Sequence, residues 1–378
     1  MRILVIGGTG FISTRLVDFL HEAGHEVTTL NRGQSTSRAN GGIERLHADR
    51  HDESRISKLL SGRRFDVVYD MVAYTPEETG TMVRLLDGLV ERFIHCSTVS
   101  VYMVSDRVQC PITEDQDKLP LMPYDPQNPF GMDYGILKRQ CEDVLWAAHE
   151  EGRFHVSMLR PPFVCGPNDP TIRDLFWIER IRDGGPLLVP GSGDFAFQNV
   201  FVDDVARAFA QLLDHPETVG RAYNVAADEI FTLNEYLGKL SRLLESTPSS
   251  SRHWGSGSTT VGGSGSLPSS QRRRGSTTAV SPAKATPESI HIPQAVFDRQ
   301  PFSTNPRGDV FPFNTRRTAI FSLEAIRRDL AYRSTPFDSW MPATIDWYRN
   351  HCDRRSHGNE FRQDEIAFAR EWKGPATP

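Results

Sequence analysis

The chain of 378 residues is long enough for one large α/β unit or two joined halves, at a prior of about 150 residues per domain. Apolar residues make up 38% and charged residues 24%, and the formal net charge of −5 leaves no global basic field to attract nucleic acid or an anionic membrane surface. No run of about 18 apolar residues occurs, and Met1 and Arg2 lead directly into an apolar strand pattern without a cleavage signal, so no membrane association and a cytoplasmic location are expected.

From residue 1 to about 160 short apolar runs alternate with amphipathic stretches. Strands are predicted near 2–7, 26–31, 43–48, 66–72, 91–97 and 154–159, with helices near 11–23, 52–61, 76–89 and 130–151. Successive βα units with right-handed crossovers give a doubly wound parallel sheet covered on both faces. After Leu159 the pattern is broken by Pro161, Pro162, Gly166, Pro167, Gly184, Gly185 and Pro190 into short elements of the kind that shape a ligand site. Helical patterns return at 203–214 and 232–245, flanking a strand near 221–225. Residues 246–287 contain no Asp or Glu and are dominated by Ser, Thr, Gly and Pro, which predicts a disordered insertion whose Arg272, Arg273 and Arg274 form a solvated charge run. Helical patterns near 322–330, 339–350 and 359–372 close the chain. The expected division is a nucleotide-binding domain over 1–165, joined by residues of about 200–226, and a smaller α+β cap over 166–378 that carries the insertion. Cys96, Cys110, Cys141, Cys165 and Cys352 are odd in number and never form a CxxC pair, so reduced packing thiols are expected and no metal site.

The first strand runs into Gly7, Gly8, Thr9, Gly10, Phe11, Ile12 and Ser13, followed by the helical pattern Leu16, Val17, Phe19, Leu20. Glycines at a strand-to-helix turn let backbone approach a pyrophosphate, and the free amides and positive end of the helix dipole face its charge. A Rossmann-type dinucleotide site follows, with Gly7, Gly10, Phe11 and Ile12 as cofactor contacts. The second strand ends in Asn31, Arg32 and Gly33, where a ribose-binding carboxylate is usual. Arg32 can pair with a 2′-phosphate, which favours NADP over NAD. Asp49 after the third strand is positioned for the adenine amino group, and Val72 and Ala73 after the fourth lie along the cofactor.

The fifth apolar strand ends in the hydroxyl cluster Ser97, Thr98 and Ser100. The carboxyl ends of strands in an open parallel sheet face the ligand crevice. Further along, Tyr134 and Lys138 stand four apart on one helical face. An ammonium beside a phenol stabilises the phenolate and draws its pKa toward working pH, so the pair suits proton exchange with a substrate hydroxyl.

With GGTGFI at 7–12, CSTVSVY at 96–102, LRPPFVCGP at 159–167, FVDDVARA at 201–208 and RAYNVA at 221–226, the sequence resembles the extended short-chain dehydrogenase/reductase superfamily. Within it the likeness is to the NAD-dependent epimerase/dehydratase group that includes UDP-galactose 4-epimerase. The resemblance covers roughly residues 1–245 and 305–350. It implies NAD(P) as cofactor, Tyr134 as acid/base, Lys138 as ribose anchor and pKa modulator, Thr98 as the hydroxyl that holds the reacting oxygen, a small-molecule substrate and a homodimer. Ser97 and Ser100 could substitute for Thr98.

The sequence departs from that group in three places. Thr98, Val99 and Ser100 replace the Thr, Asp, Glu triplet of sugar-nucleotide 4,6-dehydratases, which argues against dehydration. Nucleotide-sugar epimerases hold the diphosphate with an asparagine and an arginine where this chain carries Phe163 and Phe197. Arg307 resembles their later diphosphate contact. Ser100, Phe163, Phe197 and Arg307 are therefore the candidate substrate contacts, for a sugar nucleotide or a less charged alcohol, lactone or carbonyl compound. Epimerisation and net oxidation or reduction remain open, and the alternative is a non-catalytic NADP-binding sensor or RNA-binding relative of the same fold.

Overall fold

A computed structural model describes residues 1–34, 42–246, 287–303, 311–351 and 359–374. Arg307, Cys352 and nearly all of the acid-free stretch predicted to be disordered lie outside the described residues.

The chain opens with β1 (Arg2–Ile6), α1 (Phe11–Glu22), β2 (Glu26–Asn31), β3 (Glu44–His47), α2 (Glu53–Leu60), β4 (Phe65–Asp70), α3 (Pro76–Leu86), β5 (Val90–Cys96), α4 (Met132–Glu150) and β6 (His155–Arg160). It continues through β7 (Phe163–Cys165), α5 (Arg173–Asp183), β8 (Leu187–Pro190), β9 (Asn199–Phe201), α6 (Val202–Gln211), β10 (Arg221–Asn224) and α7 (Leu233–Ser246). After the break come β11 (Ser289–Ile292), α8 (Gln294–Phe297), α9 (Glu324–Leu330), α10 (Phe337–His351) and α11 (Arg362–Glu371).

Seven strands form one parallel sheet in the order β10, β6, β5, β4, β1, β2, β3, so the order reverses beside β1. Alternate residues of each strand point to opposite faces. Ile3 and Val5 of β1 join Leu16, Leu20, Val205 and Phe209 of α1 and α6 in one core, while Leu4 and Ile6 join Ile56, Met82 and Leu145 of α2, α3 and α4 in the other. This is the doubly wound α/β layout expected from the alternating pattern. Register sets Ile6 opposite both Leu30 and Asp70, and Asp70 opposite His95. Four strands thus end at one level, and the loops leaving them share a crevice.

A third core, rich in aromatic rings, is built from α5, α7, α8, α10 and α11 with the parallel pairs β7 with β9 and β8 with β11. Helix α5 is absent from the sequence expectation because its buried face carries charge: Asp174 and Arg180 are buried, Arg180 paired with Glu365 of α11. Its start is equally obscure, since Ile172 precedes it in the left-handed region at φ 47°.

Asp174 supplies a pH test of this half. Its carboxyl is fully buried, and burial pushes it up to about 7 even though the Tyr236 hydroxyl donates to it at 2.7 Å. A folded-state pKa above the unfolded one favours folding in the protonated form, so this contribution is full below about pH 4 and is lost as pH rises to about 7. Asp174→Asn keeps an acceptor for Tyr236 and removes the titration. Chemical denaturation should show its stability relative to wild type rising by up to roughly 1.4 kcal/mol per pH unit from about pH 4 to pH 7, then staying level.

Candidate active site

The glycine turn after β1 is sterically obligatory. Gly7 and Gly8 have φ of 110° and 74°, and a Cβ on Gly8 would stand 2.7 Å from Thr29 Cγ2, one on Gly7 3.0 Å from Val72 Cγ1. Side-chain residues rarely adopt such φ values, and the close neighbours add overlap. Ser13, where a third glycine is usual, is put to use: its hydroxyl accepts the Gly10 N–H at 3.0 Å. The Gly7 N–H is held by the Leu30 carbonyl at 2.8 Å. The other amides of the first turn of α1 are those a helix leaves without an internal partner.

This turn borders a cavity of about 370 Å³ that runs past Asn31, Arg32, Asp49 and Val72 to Tyr74. Asn31 Oδ1 accepts the Gly33 N–H at 2.9 Å, while its buried Nδ2 has no partner. Arg32 is exposed. Asp49 accepts from the His51 N–H at 3.0 Å and lies 2.8 Å from His51 Nδ1, contacts that hold its carboxyl below the usual range. Sequence reasoning missed Arg50, which turns inward to the buried Asp70 at the end of β4 at 3.1 Å and to the Glu78 carbonyl at 3.3 Å. The Asp70 carboxylate also accepts the Val72 N–H at 3.2 Å, fixing the start of the 71–74 segment.

Tyr74 lines this cavity and a second one of about 180 Å³, which also contains Ile12, Ala73, Thr98, Tyr134 and Lys138. The structure therefore brings Tyr134, Lys138 and two of the hydroxyl residues, Ser97 and Thr98, to a single crevice next to the glycine turn. Phe11 is half-buried at the start of α1 and borders neither cavity. Tyr134 is 38% exposed, its ring centre 6.3 Å from that of Tyr74. Burial pushes its pKa up, with the nearby Thr98 hydroxyl acting in the opposite direction. Lys138 is 2% exposed and donates to the Ala73 carbonyl at 2.9 Å and the Cys96 carbonyl at 2.7 Å, with His95 Nε2 at 3.0 Å. Burial lowers its pKa from the ordinary lysine value.

The three hydroxyls after β5 divide their duties. Thr98 Oγ1 accepts the Ser100 N–H at 3.2 Å and faces Tyr134. Ser100 is buried and donates to the Phe130 carbonyl at 2.9 Å. Ser97 donates to Glu142 on α4. Phe163 is half-buried, stacked on Phe130 at 5.4 Å with the Arg173 guanidinium 5.4 Å from its ring centre. Phe197, singled out as a substrate contact, has no exposed surface and lies parallel to Phe313 at 5.1 Å inside the aromatic third core. It is packed as core, because a phenyl ring gains more from that aromatic cluster than from a polar crevice.

Comparison with known proteins adds a family match. Residues 3–226 match the model of the NAD dependent epimerase/dehydratase family. Among curated proteins the chain is 28% identical over 250 residues to the chloroplast stem-loop binding protein of 41 kDa b of Arabidopsis thaliana, covering 62% of this chain and 60% of that protein. It is 23% identical over 231 residues to 2'-dehydrokanamycin reductase of Streptomyces kanamyceticus, covering 60% and 62%. The matches thus span about three fifths of these relatives. Among solved structures, UDP-glucose 4-epimerase of Thermotoga maritima with UDP-glucose superposes with a TM-score of 0.65 at 19% identity, over 92% of this chain and 99% of that one. UDP-glucuronic acid 4-epimerase of Bacillus cereus in complex with NAD gives 0.63 at 17% identity, over 93% and 100%.

Gly135, next to Tyr134, lets α4 lie against the Val99–Val101 turn: a Cβ there would stand 2.5 Å from both the Ser100 carbonyl oxygen and Val104 Cγ1. Alanine favours a helix over glycine by about 1 kcal/mol, but the overlap is with backbone and costs roughly 1–3 kcal/mol. Gly135→Ala should accordingly lower the denaturation midpoint instead of raising it, and pull Tyr134 away from Thr98. Circular dichroism melts measure the first effect and the tyrosine titration the second.

Proposed function

From the membership of this chain in the NAD dependent epimerase/dehydratase family, we propose that it is an NAD(P)-dependent oxidoreductase or epimerase. It acts at a hydroxyl-bearing carbon of a sugar nucleotide or related small molecule, with Tyr134 as acid/base. The observation that carries this reading is the meeting of Tyr134, Thr98 and Lys138 in a crevice that shares Tyr74 with the glycine-turn cavity. On the same reading the chain divides into a nucleotide-binding part, 1–165 with 200–226, and a cap over 166–378.

The residues present fit a nicotinamide dinucleotide. Gly7 and Gly10 line the cavity beside the start of α1, where the positive φ of Gly7 disfavours a side chain, and Asn31 lines the same cavity with its Nδ2 orphaned. Gly7, Gly10 and the first turn of α1 would hold the pyrophosphate, Asn31 and Arg32 the adenosine ribose, with the Arg32 cation favouring a 2′-phosphate, and Asp49 the adenine. Ile12, Val72 and Ala73 would hold the nicotinamide end, with Lys138, whose three ammonium donors are engaged within the protein, acting there through its charge. When bound, the nicotinamide supplies a two-electron acceptor or donor.

The chain's own residues manage the proton. Because burial raises the Tyr134 pKa, the phenol is protonated at neutral pH and stands ready to donate to a carbonyl oxygen undergoing reduction. Thr98 orients that oxygen. In the reverse direction the phenolate must take the hydroxyl proton, and the buried Lys138 charge supports it. Phe163, with the Arg173 guanidinium over its ring, is proposed as a substrate contact, and Arg307 as an anion contact for a phosphorylated substrate.

A second reading comes from the stem-loop binding relative: a cofactor-binding protein that recognises RNA without turnover. An electrophoretic shift with stem-loop RNA in the presence of NADP tests it.

Incubation with NAD or NADP and a panel of nucleotide sugars and carbonyl compounds should yield turnover, read as nicotinamide absorbance change or as product epimer. Tyr134→Phe should lower that turnover by about 10²- to 10⁴-fold while leaving cofactor affinity unchanged. Turnover unaffected by this change would remove the catalytic assignment. The reduction rate should be flat from about pH 6 to pH 9, while oxidation should climb with pH across the same range, because only the latter needs the phenolate.

A further inference from the structure

We infer that His95 is a positioning residue for Lys138: its imidazole accepts a hydrogen bond from the buried ammonium and, together with two carbonyls, keeps that charge fixed on the Tyr134 face of α4. The inference rests on the proposed use of Lys138 and extends it to a side chain in the strand below.

His95 is the sixth residue of β5 and has no exposed surface. Its Nε2 lies 3.0 Å from Lys138 Nζ, and the other two ammonium hydrogens go to the Ala73 carbonyl at 2.9 Å and the Cys96 carbonyl at 2.7 Å. An ammonium has three donors and no acceptor, so in this arrangement all three are engaged. The tautomer of His95 follows: Nε2 must offer its lone pair, and the proton sits on Nδ1. That Nδ1 is buried with no partner. A buried N–H without an acceptor is unfavourable, and nothing else around the ring offsets it except the bond to Lys138. A leucine or valine would fill the same space in a strand core without leaving an orphan. The imidazole is therefore accounted for by what its other nitrogen does.

The surrounding charges do not perform this task. From β4, Asp70 is committed to Arg50; on α4, Glu142 is committed to Arg160 of β6. The thiols of Cys96 and Cys141 are pushed up by burial, Cys96 to about 11, and are neutral near pH 7. His95 is itself neutral, because burial and the facing Lys138 charge hold its pKa well below the usual value. Lys138 forms no ion pair among the described residues. Its charged state is held by dipoles and one lone pair, and accepting a hydrogen bond from the ammonium favours the protonated form against burial. Loss of that acceptor moves the Lys138 pKa further down.

The test uses the full chain, with lysine side chains labelled with ¹⁵N and Lys138→Met to assign the signal. In His95→Leu the Lys138 titration should fall by at least about one unit, a tenfold change in proton affinity. The basic limb of NADPH binding, followed by fluorescence, should move down with it. His95→Gln keeps an acceptor and should restore both to within about half a unit. In the wild-type protein the His95 ¹⁵N shifts should report a neutral ring protonated on Nδ1 from about pH 5 to pH 9. An unchanged Lys138 titration in His95→Leu, or a ring protonated on Nε2, overturns the inference. The wild-type spectrum decides it if the leucine variant does not fold. Should neither NADPH nor NADH bind, the proposed function falls, while the lysine titration still judges His95.

Discussion

The site hangs on a buried ion pair. Arg160 ends β6 with no exposed surface, and its guanidinium contacts both carboxylate oxygens of Glu142 on α4, the Asp117 carboxylate at 2.6 Å and the Tyr102 hydroxyl at 2.6 Å. Tyr102 in turn donates to Asn224 Oδ1 on β10 at 2.8 Å. Three charged groups withdrawn from water are tolerable only when their donors and lone pairs find partners, and removing one member leaves charge uncompensated at a cost of roughly 3–5 kcal/mol. Such a network has few alternative arrangements. It therefore fixes how far α4 slides along the sheet.

That register reaches the chemistry by simple helical arithmetic. Tyr134, Lys138 and Glu142 are spaced by four and lie on one face of α4. With Glu142 tied to Arg160 and Ser97, Lys138 one turn earlier meets the ends of β4 and β5, and Tyr134 one turn earlier again meets Thr98. The close approach at Gly135 adds the lateral constraint, because α4 can lie this near the Val99–Val101 turn only where the helix has no side chain. Three turns of one helix thus carry an anchor, a charge and a phenol in that order.

How much of this can be read in the amino-acid sequence follows from the range of each interaction. The glycine turn and the Tyr134 and Lys138 spacing are local patterns, and the strands of the main sheet follow from alternation that needs no partner. Ser13 was legible as a small residue but not as an acceptor for the Gly10 N–H. Arg50 with Asp70, Arg160 with Glu142 and Lys138 with His95 join positions 20, 18 and 43 residues apart, and no local spacing announces them. Helix α5 was hidden because Asp174 and Arg180 interrupt its apolar face and find partners in the distant α7 and α11. Phe197 shows the converse error. An aromatic residue at a position of interest says nothing by itself about whether its ring faces a ligand or Phe313.

On the proposed function, the charge arrangement around Lys138 accounts for how the site serves a proton transfer. Each nearby carboxylate already has a guanidinium, so neither neutralises the lysine; the thiols and the imidazole around it carry no charge near neutral pH. A cation held by carbonyl dipoles in a dry environment keeps its field for whatever negative charge develops nearby, and in low dielectric that field is stronger than it would be in water. On the proposed function, Arg50 and Arg160, by pairing with those carboxylates, leave the Lys138 charge available to the oxygen that changes its protonation state.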